Sequence, residues 1–305
     1  MSGLRIAGAA AVCGVLAACP YLVALISPPG SVILIYLAQL PLFVAGLWLG
    51  VGASLLAGLA ASLTLVAASN PMTAAVFAGL NAGPVALLVR QSLLARTDNG
   101  GAIQWYPPGL LTVWLTGLGL AAIAAALALF GGVEGMQAAA RDVLAPVFNR
   151  SVVESMPERD ELLDLFAYIL PGIVVNSWML MTAINGCLAQ GLLVRFGANW
   201  RPSPDLAALS LPAWVPVLLA LAAAAAILGE TARFFGINVI IVLAVPFCLA
   251  GLAVLHTWAR RFPRPAVPLI TFYVLAGVFG WPLLLVAVLG LLDSSLGLRR
   301  RFAQP

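Results

Sequence analysis

Residues 155–195 read SMPERDELLDLFAYILPGIVVNSWMLMTAINGCLAQGLLVR, and the pattern of this stretch decides the fold. Ser155 and Glu158 stand at capping-box spacing, where each side chain can satisfy a free backbone N–H. Glu158, Asp160, Glu161 and Asp164 crowd the first turns, where the helix dipole favours negative charge. From Leu165 no charge appears until Arg195, a run long enough to cross a bilayer. At about 100° per residue, Gly172, Asn176, Met179, Ala183, Gly186, Cys187 and Gln190 share one face. Ser177, Trp178 and Asn185 fall roughly opposite. Hydrocarbon offers an amide no hydrogen-bond partner, so amides on two sides of a helix imply protein on both flanks. The stretch is therefore expected to be a central helix, bent at Pro171-Gly172, where proline removes a backbone hydrogen bond.

The rest of the chain has the same character. Of 305 residues, 63% are hydrophobic and 9% charged, and the mean hydropathy is +1.07. Soluble domains carry about 25% charged residues, which excludes a soluble fold. The net charge of +4 comes from arginine without lysine. The arginines mark the ends of apolar segments, as topology signals do, and imply no nucleic-acid partner. Cys13, Cys19, Cys187 and Cys248 are scattered singly, which is packing rather than metal or redox spacing. Leu16-Ala17-Ala18-Cys19 has the form of a lipoprotein cleavage site, but the apolar run continues to Ile26. An uncleaved first span is expected.

The fold class that follows is all-α: a polytopic transmembrane helix bundle of about 8–10 spans, with kinked or discontinuous helices. Residues 1–305 form a single integral membrane domain. The first span is Ile6–Ile26, and Ser27–Ser31 is a tight loop. Val32–Leu49 is interrupted by Gln39 and Pro41. The third span carries Ser54, Gly58 and Ser62, with Ala53, Ala57 and Ala61 beside them, a small-residue stripe for helix packing or for docking a separate subunit. Asn70-Pro71 is a helix start, and Gly79–Pro84 loosens the helix it begins. The fifth span is Gly109–Phe130. Residues 131–164 form one longer, acidic extracytoplasmic loop. Within it Met136, Ala140, Val143 and Val147 suggest an interfacial helix. Leu211–Leu228 and Phe234–Leu255 follow the central helix. Gly280-Trp281-Pro282 divides Pro265–Leu298 into two short crossings, ten in all, which returns Arg299-Arg300-Arg301 to the side of the other basic loops. The protein is expected in the inner (cytoplasmic) membrane of a bacterium, multi-pass, with both termini cytoplasmic.

Three sets of residues carry a resemblance: Leu170-Pro171-Gly172 with the later Asn185; Asn238, Pro246 and Gly251-Leu252-Ala253-Val254-Leu255-His256; and Gly290-Leu291-Leu292-Asp293 followed by Arg299-Arg300-Arg301. Together they resemble the YybS-like family of uncharacterised polytopic bacterial membrane proteins. That family is distantly similar to the S components of energy-coupling-factor vitamin transporters. The resemblance implies a small-molecule-binding membrane subunit and names no ligand.

An enzyme is not expected. The chain has no phosphate-binding glycine loop and no metal-ligand cluster, and its one histidine, His256, lies in a basic interfacial cluster. Asp293 reads as an interfacial topology residue. No catalytic residue, metal or cofactor is assigned. The candidate ligand-binding residues are Asn81, Asn176, Gln39, Asn185, Gln190 and Trp178, at a cavity expected between the Gly79–Pro84 helix and the 155–195 helix. Amides orient a ligand without exchanging protons at neutral pH, which suits a small neutral or zwitterionic solute. The partners expected beside the lipid bilayer are separate coupling and ATPase subunits. The alternative is a non-transport scaffold or assembly protein of the cell envelope, bound to another envelope protein.

Overall fold

The computed structural model describes residues 2–26, 34–149 and 157–299. The expected Ser155 cap, the Ser27–Ser31 loop and Arg300-Arg301 lie outside them. Among the described residues six helices are long and apolar enough to cross a membrane, and four shorter apolar helices accompany them. The chain divides into two compact units, the first comprising Met1–Leu115 with Trp178–Asp205 and the second Thr116–Ser177 with Leu206–Pro305. The long helix Arg159–Arg195 gives its first part to the second unit and its later part to the first.

In the first unit α1 (Gly3–Ile26) packs against α3 (Val51–Ala68). Ala10, Ala17 and Ala18 of α1 and Ala53, Ala57 and Ala61 of α3 are all buried, and Gly14 of α1 lies against Ala57, Ala60 and Ala61. Such residues let helix backbones approach closely where no water drives association. Ser54 and Gly58 are buried in the same face, so the small-residue stripe serves packing within the bundle. Between these helices, α2 (Gln39–Leu49) begins after a turn at Leu37-Ala38. Pro41 causes the turn, because it lacks the N–H that Leu37 O would take in a helix. Leu40 N donates to Leu37 O instead, at 3.0 Å, and so leaves its ordinary i−4 partner, the Tyr36 carbonyl. Asn70 caps α4 (Pro71–Phe77) through Oδ1, which accepts from Thr73 N at 2.8 Å. A wide π-helical turn, Ala78–Ala82, leads into α5 (Gly83–Ser92), so the Gly79–Pro84 helix widens without ending. A short antiparallel hairpin, β1 (Ala95–Thr97) and β2 (Ile103–Trp105), was not expected. Asp98 Oδ1 closes it by accepting from Gly100 N and Ala102 N.

The second unit contains most of α6 (Pro108–Phe130), α7 (Val133–Phe148), the start of α8 (Arg159–Arg195), and α9 (Trp214–Ala226), α10 (Glu230–Ala259), α11 (Ala266–Phe279) and α12 (Pro282–Leu296). The expectation that 155–195 is the central helix needs correction. The most apolar part of α10 is 67% buried against 28% for that of α8, because α10 is apolar all round and α8 is apolar only between its amides. On α10, Gly251 faces α12, and a Cβ there would overlap Val286 O. A Cβ at Gly290 would in turn overlap Phe247 O, so the two glycines let α10 and α12 approach closely. Gly280, at φ +70°, separates α11 from α12, the division expected at Gly280-Trp281-Pro282. Met136, Ala140 and Phe148 are the buried residues of α7, whereas Val143 and Val147 are exposed.

Asn238 ties α10 to the Pro171-Gly172 turn of α8. Its Oδ1 accepts from Gly172 N at 2.7 Å, and its Nδ2 donates to Tyr168 O at 3.1 Å. An ordinary helical turn pairs those two backbone groups with each other. Nδ2 also donates to Phe234 O, four residues back on its own helix, at 2.9 Å. Gly172 is required here, because a Cβ would stand 2.8 Å from Asn238 Oδ1. We expect Asn238→Leu to destabilise the protein by about 2–3 kcal/mol, the order expected when buried hydrogen bonds lose one partner. Unfolding of the purified protein in detergent measures it, and unchanged stability would refute the bridging role.

Candidate functional site

The candidate site of the first unit is built around the Leu80 carbonyl. In an α-helix that oxygen accepts from residue 84, which here is proline and has no N–H. Leu80 O instead takes side-chain donors from two other helices, Trp178 Nε1 at 2.8 Å and Gln39 Nε2 at 3.3 Å. The adjacent Asn81 is buried, and its Nδ2 donates to Tyr21 OH at 2.8 Å. The Tyr21 ring stands edge-on to Phe77, with centroids 5.3 Å apart. Asn185 Nδ2 donates to Tyr36 O, in the turn before Pro41, at 2.7 Å, and to Met181 O at 2.8 Å. Four of the six residues predicted from sequence, Gln39, Asn81, Trp178 and Asn185, thus gather on two proline-loosened turns. The groups that gather there are all uncharged, so the arrangement can orient a solute but offers no acid or base.

The remaining two lie elsewhere. Gln190 Nε2 donates to Arg201 O at 2.7 Å, and Asn199 Nδ2 shares that acceptor at 2.9 Å. Asn176 belongs to the second unit and is half-buried, and its Oδ1 has no partner among the described residues. Gln39 Oε1 and Asn185 Oδ1 are buried and unpartnered in the same way.

Sequence reasoning missed Arg201, taken only as a topology signal. It is 5% exposed and donates to Ser92 O at 2.8 Å and Tyr106 O at 3.0 Å, pinning the hairpin to the end of α5. Burial pushes its guanidinium below the ordinary arginine value. Asp293 is likewise more than a topology residue. It is 5% exposed and accepts from Arg299 N at 2.9 Å and Arg299 Nε at 2.8 Å. Arg299 also donates to Ala207 O at 2.8 Å, so the pair clamps the chain after α12 to the 206–208 turn. The clamp borders a cavity of about 650 Å³ in the second unit, lined also by Ser210, Ser294 and Ser295. A second hollow of about 420 Å³ lies between α7 and the start of α8. His256 Nε2 pairs with Tyr273 OH at 2.9 Å. Among the described residues no group of three or more His, Cys, Asp or Glu could hold a metal ion.

A family described as "Predicted membrane protein (DUF2232)" matches residues 15–294. No curated protein and no solved structure matches the chain.

Because Gln39 and Trp178 share one acceptor, their contributions are expected to be coupled. Gln39→Leu and Trp178→Phe should each cost about 0.5–1.5 kcal/mol. The double variant should lose about 1 kcal/mol beyond their sum, since Leu80 O then keeps no side-chain donor. Strict additivity in a double-mutant cycle of unfolding free energies would contradict the shared-acceptor arrangement.

Proposed function

This chain belongs to the DUF2232 family of predicted membrane proteins, and we propose that it is a small-molecule-binding or transport subunit without its own ATPase. It is an integral, multi-pass protein of the lipid bilayer. The observation that carries the reading is the Leu80 carbonyl, denied its helical donor by Pro84 in a widened mid-helix turn and held by Gln39 and Trp178 from two other helices. Loosened helices that expose backbone acceptors are the means by which transporters build solute sites near the bilayer midplane. Small-ligand sites combine an apolar lining with a few converging polar groups, which is the chemistry of Asn81, Asn185, Gln39 and Trp178. Their neutrality favours an uncharged or zwitterionic solute. The chain contains no lysine and so no phosphate-binding loop of the Gly-Lys-Ser/Thr type. An ATP-driven cycle would therefore need separate coupling and ATPase subunits, as the resemblance to S components suggests.

Asn238 favours the scaffold reading, because its amide is spent wholly on bridging helices. Purification from native membranes separates the two. Transport predicts a co-purifying ATPase and a bound small molecule. A scaffold predicts a stable complex with another envelope protein and a ligand-free core. We also propose that the protein alone has no catalytic activity. Hydrolysis of a nucleotide, peptide or lipid by the purified chain, abolished by His256→Ala, would refute that.

We further propose that the basic loops face the cytoplasm and residues 131–164 the outside of the inner membrane. In a background lacking the four native cysteines, Ala138→Cys should react with an impermeant thiol reagent on intact cells. Asn99→Cys should react only after permeabilisation, and the reverse pattern would invert the topology.

A further inference from the structure

Gln39 Oε1 and Asn185 Oδ1 are buried acceptors that no group among the described residues engages, on residues 3% and 0% exposed. Neither amide can be turned round to remove the problem. Asn185 Nδ2 faces two carbonyls, Tyr36 O and Met181 O, and Gln39 Nε2 faces a third, Leu80 O. Reversing either amide would set oxygen against oxygen and leave an N–H unpaired instead. The unengaged groups are therefore acceptors. A buried acceptor without a donor is costly where no water competes for it.

The two residues belong to one turn of the fold: Asn185 is held by Tyr36 O, and Gln39 is three residues further along the chain. The Asn238 amide offers a contrast. It also bonds to a carbonyl four residues back and to a carbonyl of a facing helix, but its Oδ1 receives the N–H of Gly172. At Asn185 the same device lacks that last donor.

We propose that Gln39 Oε1 and Asn185 Oδ1 form an acceptor-only subsite for a monovalent cationic group, either an alkali cation or the primary ammonium of a zwitterionic solute. The two amides have spent their N–H groups on carbonyls, so an occupant must bring positive charge or donors of its own. A divalent ion is disfavoured, because calcium and magnesium sites rely on carboxylates and the two oxygens are neutral. Amide and loosened-backbone oxygens are the ligands with which membrane proteins hold sodium. The inference rests on the solute-binding reading of this unit, and its test uses no transported solute, so the two can fail separately.

The test is thermal unfolding of the full-length protein in detergent, titrated with sodium chloride or methylammonium chloride against choline chloride at constant ionic strength. A saturable stabilisation is expected from at least one of the two. A sodium response alone assigns an alkali site, and a methylammonium response alone assigns the ammonium group of a solute. Gln39→Glu adds a full charge beside Asn185 and should tighten the responding cation about tenfold or more. Gln39→Met should abolish the response. If either variant fails to fold, the wild-type titration and anomalous density from rubidium at the two oxygens decide. The proposal is overturned if neither cation stabilises beyond choline, if the response persists unchanged in Gln39→Met, or if only water occupies the two oxygens.

Discussion

A backbone carbonyl inside hydrocarbon must find a donor, since no water reaches it to make up a missing bond. This chain frees such carbonyls by placing proline within its apolar helices, then meets them with side-chain donors from other helices. Pro84 denies Leu80 O its helical partner, and Gln39 and Trp178 supply N–H groups. Pro41 draws the 37–40 turn tight and leaves Tyr36 O to Asn185. Beside Pro171, Asn238 bridges the turn: it takes Gly172 N–H and gives an N–H to Tyr168 O. Each of these bonds fixes one helix against another, so register and packing follow from where the prolines fall.

The two units use the device differently. In the second the Asn238 amide is fully spent, Gly251 and Gly290 bring α10 and α12 together, and Asp293 and Arg299 close the chain after α12. Those features suit a rigid element. In the first unit, the amide oxygens of Gln39 and Asn185 remain unengaged among the described residues beside the loosened turns, as that of Asn176 does in the second. Spare acceptors at a site of thinned backbone bonding support solute binding better than locking alone does.

The helical, membrane-spanning fold was legible because hydropathy and arginine placement are long-range signals that survive local irregularity. The Asn70-Pro71 start, the Gly280 break and the small-residue seam of α3 were legible for local reasons: a cap, a positive φ and a missing side chain. The gathering of Gln39, Asn81, Trp178 and Asn185 followed from asking where amides find partners in hydrocarbon. Gln190 obeys the same rule but answers to Arg201, a pairing hidden in the fold of the 196–205 loop. Arg201 and Asp293 were misread because a charge near a helix end looks the same in sequence whether it faces water or is clamped by carbonyls. Centrality was misassigned for a related reason. Amides mark α8 as contacted, while α10 is enclosed by virtue of being apolar all round. Gly172, Asn238, Gly251 and Gly290, four of the residues singled out in the sequence, are helix-contact points of the second unit.

Native mass spectrometry of the full-length protein, released from detergent after gentle purification from its own membranes, tests most directly whether the amide cluster of the first unit binds a solute. The account predicts a small molecule retained by the wild-type protein, kept in a folded Asn238 variant and lost in Gln39→Leu. A wild-type protein that carries only lipid, with the same spectrum in Gln39→Leu, would contradict it.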